Sequence, residues 1–257
     1  HDKEYLDFLA SAWTEWLDSA PKDPTALIPA TFALRRQPHK PKGLLGLAGY
    51  YIMDLSACIV EGTYPAALAS ANCALSAAQA VAGGEHSSFA LCRPPGHHAE
   101  RRRAMGFCLF NNIAVGAAHA LEQHGLDRVA IGDFDVHHGN GTEDIFAGDE
   151  RVLMVSTFQH PLYPYSGAQP MGANMVNVPL AAGSGSDEFR AAVLEQWLPA
   201  LNAHRPQLLF ISAGFDAHRE DPLAELKLVD TDYAWVTREL MRVATRHCDG
   251  RIVSALE

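Results

Sequence analysis

Eleven residues, GDFDVHHGNGT at positions 132–142, hold two carboxylates, two imidazoles and three glycines. They directly follow the short apolar run RVAI, which reads as a buried strand. Charged groups at the end of a buried strand are costly unless something pairs or coordinates them. Two further strand-like runs deliver the same residue types. SSFALC (87–92) leads into RPPGHHA, with adjacent His97 and His98, and QLLFISAG (207–214) leads into FDAH, with Asp216 and His218. Ligands of open parallel sheets bind outside the carboxyl ends of the strands, so these residues are expected to meet at one sheet edge. Asp135 and His137, spaced i and i+2, suit one ion approached from a tight turn, with Asp216 as a third ligand. Two carboxylates, one imidazole and an open position suit a catalytic Zn²⁺. Such an ion lowers the pKa of water towards neutrality and polarises a carbonyl, two requirements for hydrolysing an amide. His97 and His98 would then move the protons, from a loop bent by Pro94, Pro95 and Gly96.

Each residue also has a plainer role. His137 or His138 alone would more often be an ordinary surface or core histidine; Asp135 beside them and Asp216 at a second strand end favour a metal. Asp133 could cap a helix, but its place inside a strand favours pairing with a cation or a histidine. His218 is read as a rim residue, while His119, His124, His204 and His247 fall on helical stretches and are read as solvated. ERRRA (100–104) is read as a solvated loop rather than a phosphate site.

The elements that must position these groups alternate. RVAIGDFD (128–135), RVLMVST (151–157) and RIVSAL (251–256) join the two runs above as short strands. Between strands lie the helical stretches NNIAVGAAHALEQHG and SDEFRAAVLEQWLPALNAH, the second with Ser186 as its expected N-cap. This alternation predicts an α/β fold in three layers, a mostly parallel sheet between helices. The Ala-rich segment YPAALASANCALSAAQAVAGG reads as a helix stopped by its glycine pair, and 27–46, rich in Pro and basic residues, as a surface loop. Without repeats or a long linker, residues 1–257 are read as a single domain. Beginning inside an amphipathic helix and ending on RIVSALE, it is expected to be truncated at both ends.

Lys and Arg total 20 against 30 Asp and Glu, a net charge of −10. That balance argues against a nucleic-acid surface and suits cationic substrates. The five cysteines lack CxxC spacing and are read as reduced core thiols. No apolar run reaches the length of a membrane span, and the cytoplasm is the expected compartment. Trp13 and Trp16 are expected in the core or at a contact between copies of a homo-oligomer.

RPPGHHA, GFCLFNN, DFDVHHGNGT, VST and SAGFDAH, in this order, closely resemble the zinc-dependent histone deacetylase family. That family includes bacterial deacetylase-like amidohydrolases and acetylpolyamine amidohydrolases, and the resemblance implies the arginase-deacetylase fold. It implies Asp135, His137 and Asp216 as zinc ligands, His97 and His98 as the tandem catalytic histidines, and Asp133 as the carboxylate orienting the first. It further implies a structural K⁺ or Na⁺ held by oxygens at Asp133, Asp135, His137, Ser156 and Thr157. A second such ion would use carbonyls near Phe146, Asp149 and Val152. Gly106 and Phe107 match the lining of an acyl-lysine tunnel, with Tyr163 as the candidate opposing wall. Asn140 stands where some members carry a second Asp behind the second histidine. It resembles the class II-like branch, and an amide there leaves His98 less basic than a carboxylate would. The family's oxyanion-stabilising Tyr follows a strand like RIVSALE, beyond Glu257; losing one such donor costs about 10²–10³ in rate.

The implied reaction is hydrolysis of the acetamide of N-acetyl-lysine, in a protein or peptide, to amine and acetate. The alternatives are an amidohydrolase of acetylpolyamines or other small N-acyl amines, and a metal-stabilised module that binds acyl-lysine without turnover. An arginase-like dimanganese site would need a ligand four residues after Asp135, and that residue is Gly139. Some polyamine-selective members carry an acidic gatekeeper past the third zinc ligand. The comparable residue here is Leu223, which leans towards acyl-lysine. YYIMD and GTYPAAL resemble the polyamine branch instead, and Glu220 and Asp221 stand near enough in sequence to meet a distal cation.

Overall fold

The computed structural model describes residues 1–22, 24–32 and 39–257. Six strands, β1 (Ser87–Ala90), β2 (Val129–Asp133), β3 (Val152–Gln159), β4 (Met175–Leu180), β5 (Leu208–Ala213) and β6 (Ile252–Leu256), form one sheet. Their order is β1-β6-β5-β2-β3-β4, and every neighbouring pair is parallel. Strands buried on both faces read as continuous apolar runs, which is why β2, β3 and β5 are visible in the sequence; β6 is mostly buried, and β1, also read there, is a largely exposed edge strand. The sixth, β4, carries Asn177 and Pro179 and has no such run. It lies at the sheet edge, where a proline is tolerated.

Alternate side chains of the central strands enter two cores. Ala130, Leu153, Val155, Leu209 and Ile211 pack with Phe189, Trp197, Leu201, Val236 and Leu240. These come from α6 (Ser186–Ala192), a π turn (Val193–Trp197), α7 (Leu198–His204) and α8 (Asp230–His247). Val129, Ile131, Val152, Met154 and Phe210 face α3 (Thr63–Ala82), α4 (Asn112–Gln123) and α5 (Asn140–Phe146) on the other side. The result is three layers, α/β/α. A third cluster joins α1 (Lys3–Asp18) and α2 (Leu44–Tyr51) through Tyr5, Leu9 and Tyr51, with Trp13 and Trp16 packed against it.

Several local expectations are corrected. Gly185, not Ser186, precedes α6; its N–H donates to Glu188, while Ser186 Oγ donates to buried Asp232 (2.7 Å). The span 27–46 is not all surface loop. Leu27 is fully buried and bridged to Ile59, and α2 begins at Leu44; positions 33–38 lie outside the described residues. His204 is bonded to the Val129 carbonyl and His247 to Asn202, so neither is simply solvated. Cys92, Cys108 and Cys248 are buried thiols, but Cys73 is exposed. The basic loop is engaged: Arg101 donates to the Ile145 carbonyl, Arg102 faces Asp2 and Arg103 pairs with Glu100. No described helix is long and apolar enough to cross a membrane.

From β2 the chain passes to β3 and β4 on one side and returns as β5 on the other. The crevice beyond the carboxyl ends of β2 and β5 is therefore the switch point at which ligands bind.

Candidate active site

β2 ends at Asp133, and the turn beyond it is shaped by its own carboxylates. Asp135 N–H donates to Asp133 Oδ1 (3.1 Å) and His137 N–H to Asp135 Oδ1 (2.7 Å). Val136 N–H donates to Asp216 Oδ1 (2.9 Å), tying this turn to the one after β5. Gly214 makes the approach feasible, because a Cβ there would collide with the Asp135 carboxylate. One ligand atom from each of Asp135, His137 and Asp216 lies within 4.8 Å of the others. His137 Nδ1 stands 3.1 Å from Asp135 Oδ1 and 2.9 Å from Asp216 Oδ2. Burial opposes charge on His137, but Asp135 and Asp216 outweigh it and lift its pKa to about 9. Two carboxylates converging on one imidazole nitrogen make a donor set that fits Zn²⁺, which would displace the proton held there.

His97 and His98 follow β1 on a turn fixed by Ser70 Oγ and Asn112 Nδ2, both donating to the Pro94 carbonyl (2.7 and 3.0 Å). Gly96 packs on the Asn112 backbone too closely for a Cβ. Both imidazoles are buried, with ring centroids 4.1 Å apart. His97 Nδ1–H donates to Asp133 Oδ2 at 3.0 Å. Burial disfavours charge on His97, yet Asp135 and Asp133 outweigh it and hold its pKa well above the usual value. His98 Nδ1 meets Asn140 Oδ1 at 2.7 Å, and Asn140 Nδ2 donates to Glu100 Oε1 (3.1 Å), which fixes the amide's orientation. His98 Nδ1 therefore carries the hydrogen, and Nε2 keeps a lone pair. Burial, and then the charge on His97, push His98 well below the usual range. Two adjacent histidines are thus pushed in opposite directions, His97 up and His98 down.

Gly106 and Tyr163 both meet His98. A Cβ on Gly106 (φ +55°) would strike the His98 ring, and the Tyr163 ring stands edge-on to it at 5.2 Å between centroids. Phe107, also left-handed (φ 65°), is 61 % exposed beside them. Asp54 organises this wall. It accepts from Gly106 N–H (3.1 Å) and Tyr163 O–H (2.6 Å), and Ser56 links it to Phe107 N–H. Leu223 is not brought in; it is 72 % exposed and lies outside the cavity lined by Phe215, His218, Glu220, Asp221, Asp230 and Tyr233.

The two monovalent-cation sets differ in fit. Ser156 pairs with Asp133 in register, and its buried Oγ has no hydrogen-bond partner, an orphan that a cation beside Asp133 would satisfy. The second set does not fit an ion. The carbonyls of Phe146, Asp149 and Val152 converge on Asn174 Nδ2 at 2.8, 3.1 and 2.8 Å, so an amide already fills the place between them.

The model of the histone deacetylase domain matches residues 1–257. The chain belongs to the histone deacetylase domain family. It is 41 % identical over 257 residues to acetylpolyamine amidohydrolase 1 of Pseudomonas aeruginosa, covering 95 % of this chain and 72 % of that one. A probable deacetylase of Archaeoglobus fulgidus is 42 % identical over 80 % of this chain, which spans 59 % of that relative's length. The crystal structure of an acetylpolyamine aminohydrolase from Burkholderia pseudomallei superposes with a TM-score of 0.89 at 34 % identity, covering all of this chain and 75 % of that one.

Three groups in this deacetylase-family fold escaped sequence reading. Asp54 lies in YYIMD, but nothing in its spacing ties it to Gly106, 52 positions on. Asn174 sits in an unremarked loop. Glu257, the last residue of RIVSALE, reaches back to the histidine turn.

Proposed function

We propose that this chain is a zinc-dependent amidohydrolase that removes the acetyl group from an N-acetylated primary amine. The observation that carries the reading is the convergence of the Asp135–His137–Asp216 group with His97 and His98 at one switch point. Asp135, His137 and Asp216 would hold Zn²⁺, which would supply Lewis-acid chemistry for the acetamide and for water. Neutral His98, with its free Nε2, takes a proton from the attacking water and returns it to the leaving amine, so the products are acetate and the free amine. His97, whose Nδ1–H is held by Asp133, stabilises the negative charge that develops on the acetamide oxygen. Asp133 also contributes to a structural K⁺ or Na⁺ site together with oxygens at Asp135, His137, Ser156 and Thr157. Gly106, Phe107 and Tyr163 form the wall along which the acyl group enters.

Acetylated polyamines are the favoured substrates. The Pseudomonas and Burkholderia proteins named for that activity align with 95 % and all of this chain, and a net charge of −10 suits a cationic amine. N-acetyl-lysine in a peptide is the second reading, favoured by apolar Leu223 at the sequence position where some polyamine-selective members carry an acidic residue. The deciding measurement is acetate release by the zinc-loaded chain from an acetylated diamine and from an acetyl-lysine peptide, each with and without a chelator. Chelator-sensitive release is expected, faster from the diamine. Release indifferent to the chelator would exclude the zinc assignment, and a faster peptide would reverse the substrate order.

A further inference from the structure

The ligand group and the proton transfers leave one carboxylate at the site unused. Glu257 follows β6, where its own N–H donates to the Ala213 carbonyl at the end of β5 (3.3 Å). Its side chain turns towards the histidine turn. Oε2 accepts from Gly96 N–H (2.6 Å) and His97 N–H (2.9 Å), and Oε1 accepts from Ser212 Oγ–H (3.0 Å). Burial pushes this carboxyl up to about 7, while the charge on His97 and the amide of Gly96 work the other way.

Two successive amides aimed at one carboxylate oxygen make a backbone nest for an anion. Hydrogen bonds to an ionised acceptor are roughly twice as strong as neutral ones. The carbonyl side of His97 is held independently, accepting from Gly141 N–H (2.9 Å) and Thr142 N–H (3.2 Å) at the start of α5. Glu257 holds the amide side. With both peptide groups of His97 fixed, the imidazole is aimed at Asp133 by its backbone as well as by its own hydrogen bond. His98, the next residue, inherits the same frame.

We infer that Glu257 is a positioning residue for the tandem histidines, its carboxylate clamping the Gly96 and His97 amides so that both imidazoles stay aligned with Asp133, Asn140 and the ligand group. The inference rests on the amidohydrolase reading of that site. A carboxylate serving only to join β6 to β5 would need Ser212 Oγ–H alone, not two amides of a distant turn.

The test combines amide hydrogen exchange, read by NMR at Gly96 and His97, with steady-state kinetics on the acetylated diamine, for the zinc-loaded wild type, Glu257→Ala and Glu257→Gln. In the wild type both amides are expected to be protected. Glu257→Ala should speed their exchange on the order of tenfold. It should lower kcat on the order of tenfold to a hundredfold, with KM within about twofold and zinc content unchanged. Glu257→Gln should recover most of both, because its amide oxygen still accepts from the two N–H groups while its NH₂ faces Ser212. Unprotected amides in the wild type would overturn the clamp without any variant having to fold. Lost protection with unchanged kcat would overturn the positioning role. Protected amides in a wild type that releases no acetate would sink the amidohydrolase reading, and the positioning role with it, while leaving the clamp itself measured.

Discussion

At the scale of single residues, the site separates groups that hold an ion from groups that set proton states. Asp135 belongs to the first kind, and Asp133 acts chiefly on His97. Two substitutions should tell them apart. Asp135→Ala removes one of three converging ligands and is expected to abolish both zinc binding and turnover, checked by metal analysis of the dialysed protein. Gly139→Ala leaves all three ligands in place but puts a methyl group against the Asp133 carboxylate, 3.3 Å from His97 Nδ1. It should retain zinc while kcat falls on the order of tenfold to a hundredfold, the cost of misaligning a catalytic group. Full zinc occupancy in Asp135→Ala would remove that residue from the ligand set.

At the scale of elements, what matters is how a loop is tied to its strand. The end of α5, the loop after it and the start of β3 turn three carbonyls towards Asn174, just before β4. Asn174 Oδ1 accepts in turn from Gly148 N–H (2.9 Å), so one carboxamide staples both segments. An amide nitrogen has two hydrogens for three oxygens, which leaves the pocket slightly rich in negative potential. Asn174→Ala removes one hydrogen bond from each of these carbonyls, two of which keep a backbone partner in Asp149 N–H and Val152 N–H, and should cost about 1–2 kcal/mol in urea unfolding. Asn174→Asp replaces a donor with a further acceptor. Its unfolding midpoint should rise when KCl replaces choline chloride at equal ionic strength, because K⁺ is the natural guest of converging carbonyls. An equal rise in the wild type would show that the amide does not exclude the ion.

At the scale of the whole molecule, net charge bears on the substrate. A chain at −10 attracts cations over distances comparable to the Debye length, about 8 Å at physiological ionic strength. For an acetylated polyamine, which keeps free ammonium groups, kcat/KM should fall as salt is raised from low concentration to physiological ionic strength. For an uncharged N-acetyl amine it should change little, and kcat should hold for both. Equal salt dependence in the two series would separate surface charge from substrate choice. The same assay ranks polyamine against acetyl-lysine peptide without any change to the protein.

The residue types at three strand ends, the five apolar strands and the α/β alternation could all be read along the chain. Parallel strands buried on both faces must be continuously apolar, and their ends are where polar groups become affordable. Asp135, His137, His97 and His98 were legible for the same reason, since each lies within a few positions of a strand that announces itself. Folding supplied the rest. β4 needed its neighbour β3 to become a strand, because an edge strand interrupted by Pro179 has no pattern of its own. The raised pKa of His97 depends on Asp135 and Asp133, brought from a separate strand end, and the lowered pKa of His98 on burial beside that charge, against its hydrogen bond to Asn140. Asn174 beneath three carbonyls, and Glu257 on an amide 161 positions away, follow from hydrogen bonds that leave no periodicity in sequence. Burial and electrostatics act on every neighbour at once, and the neighbours are chosen by the sheet.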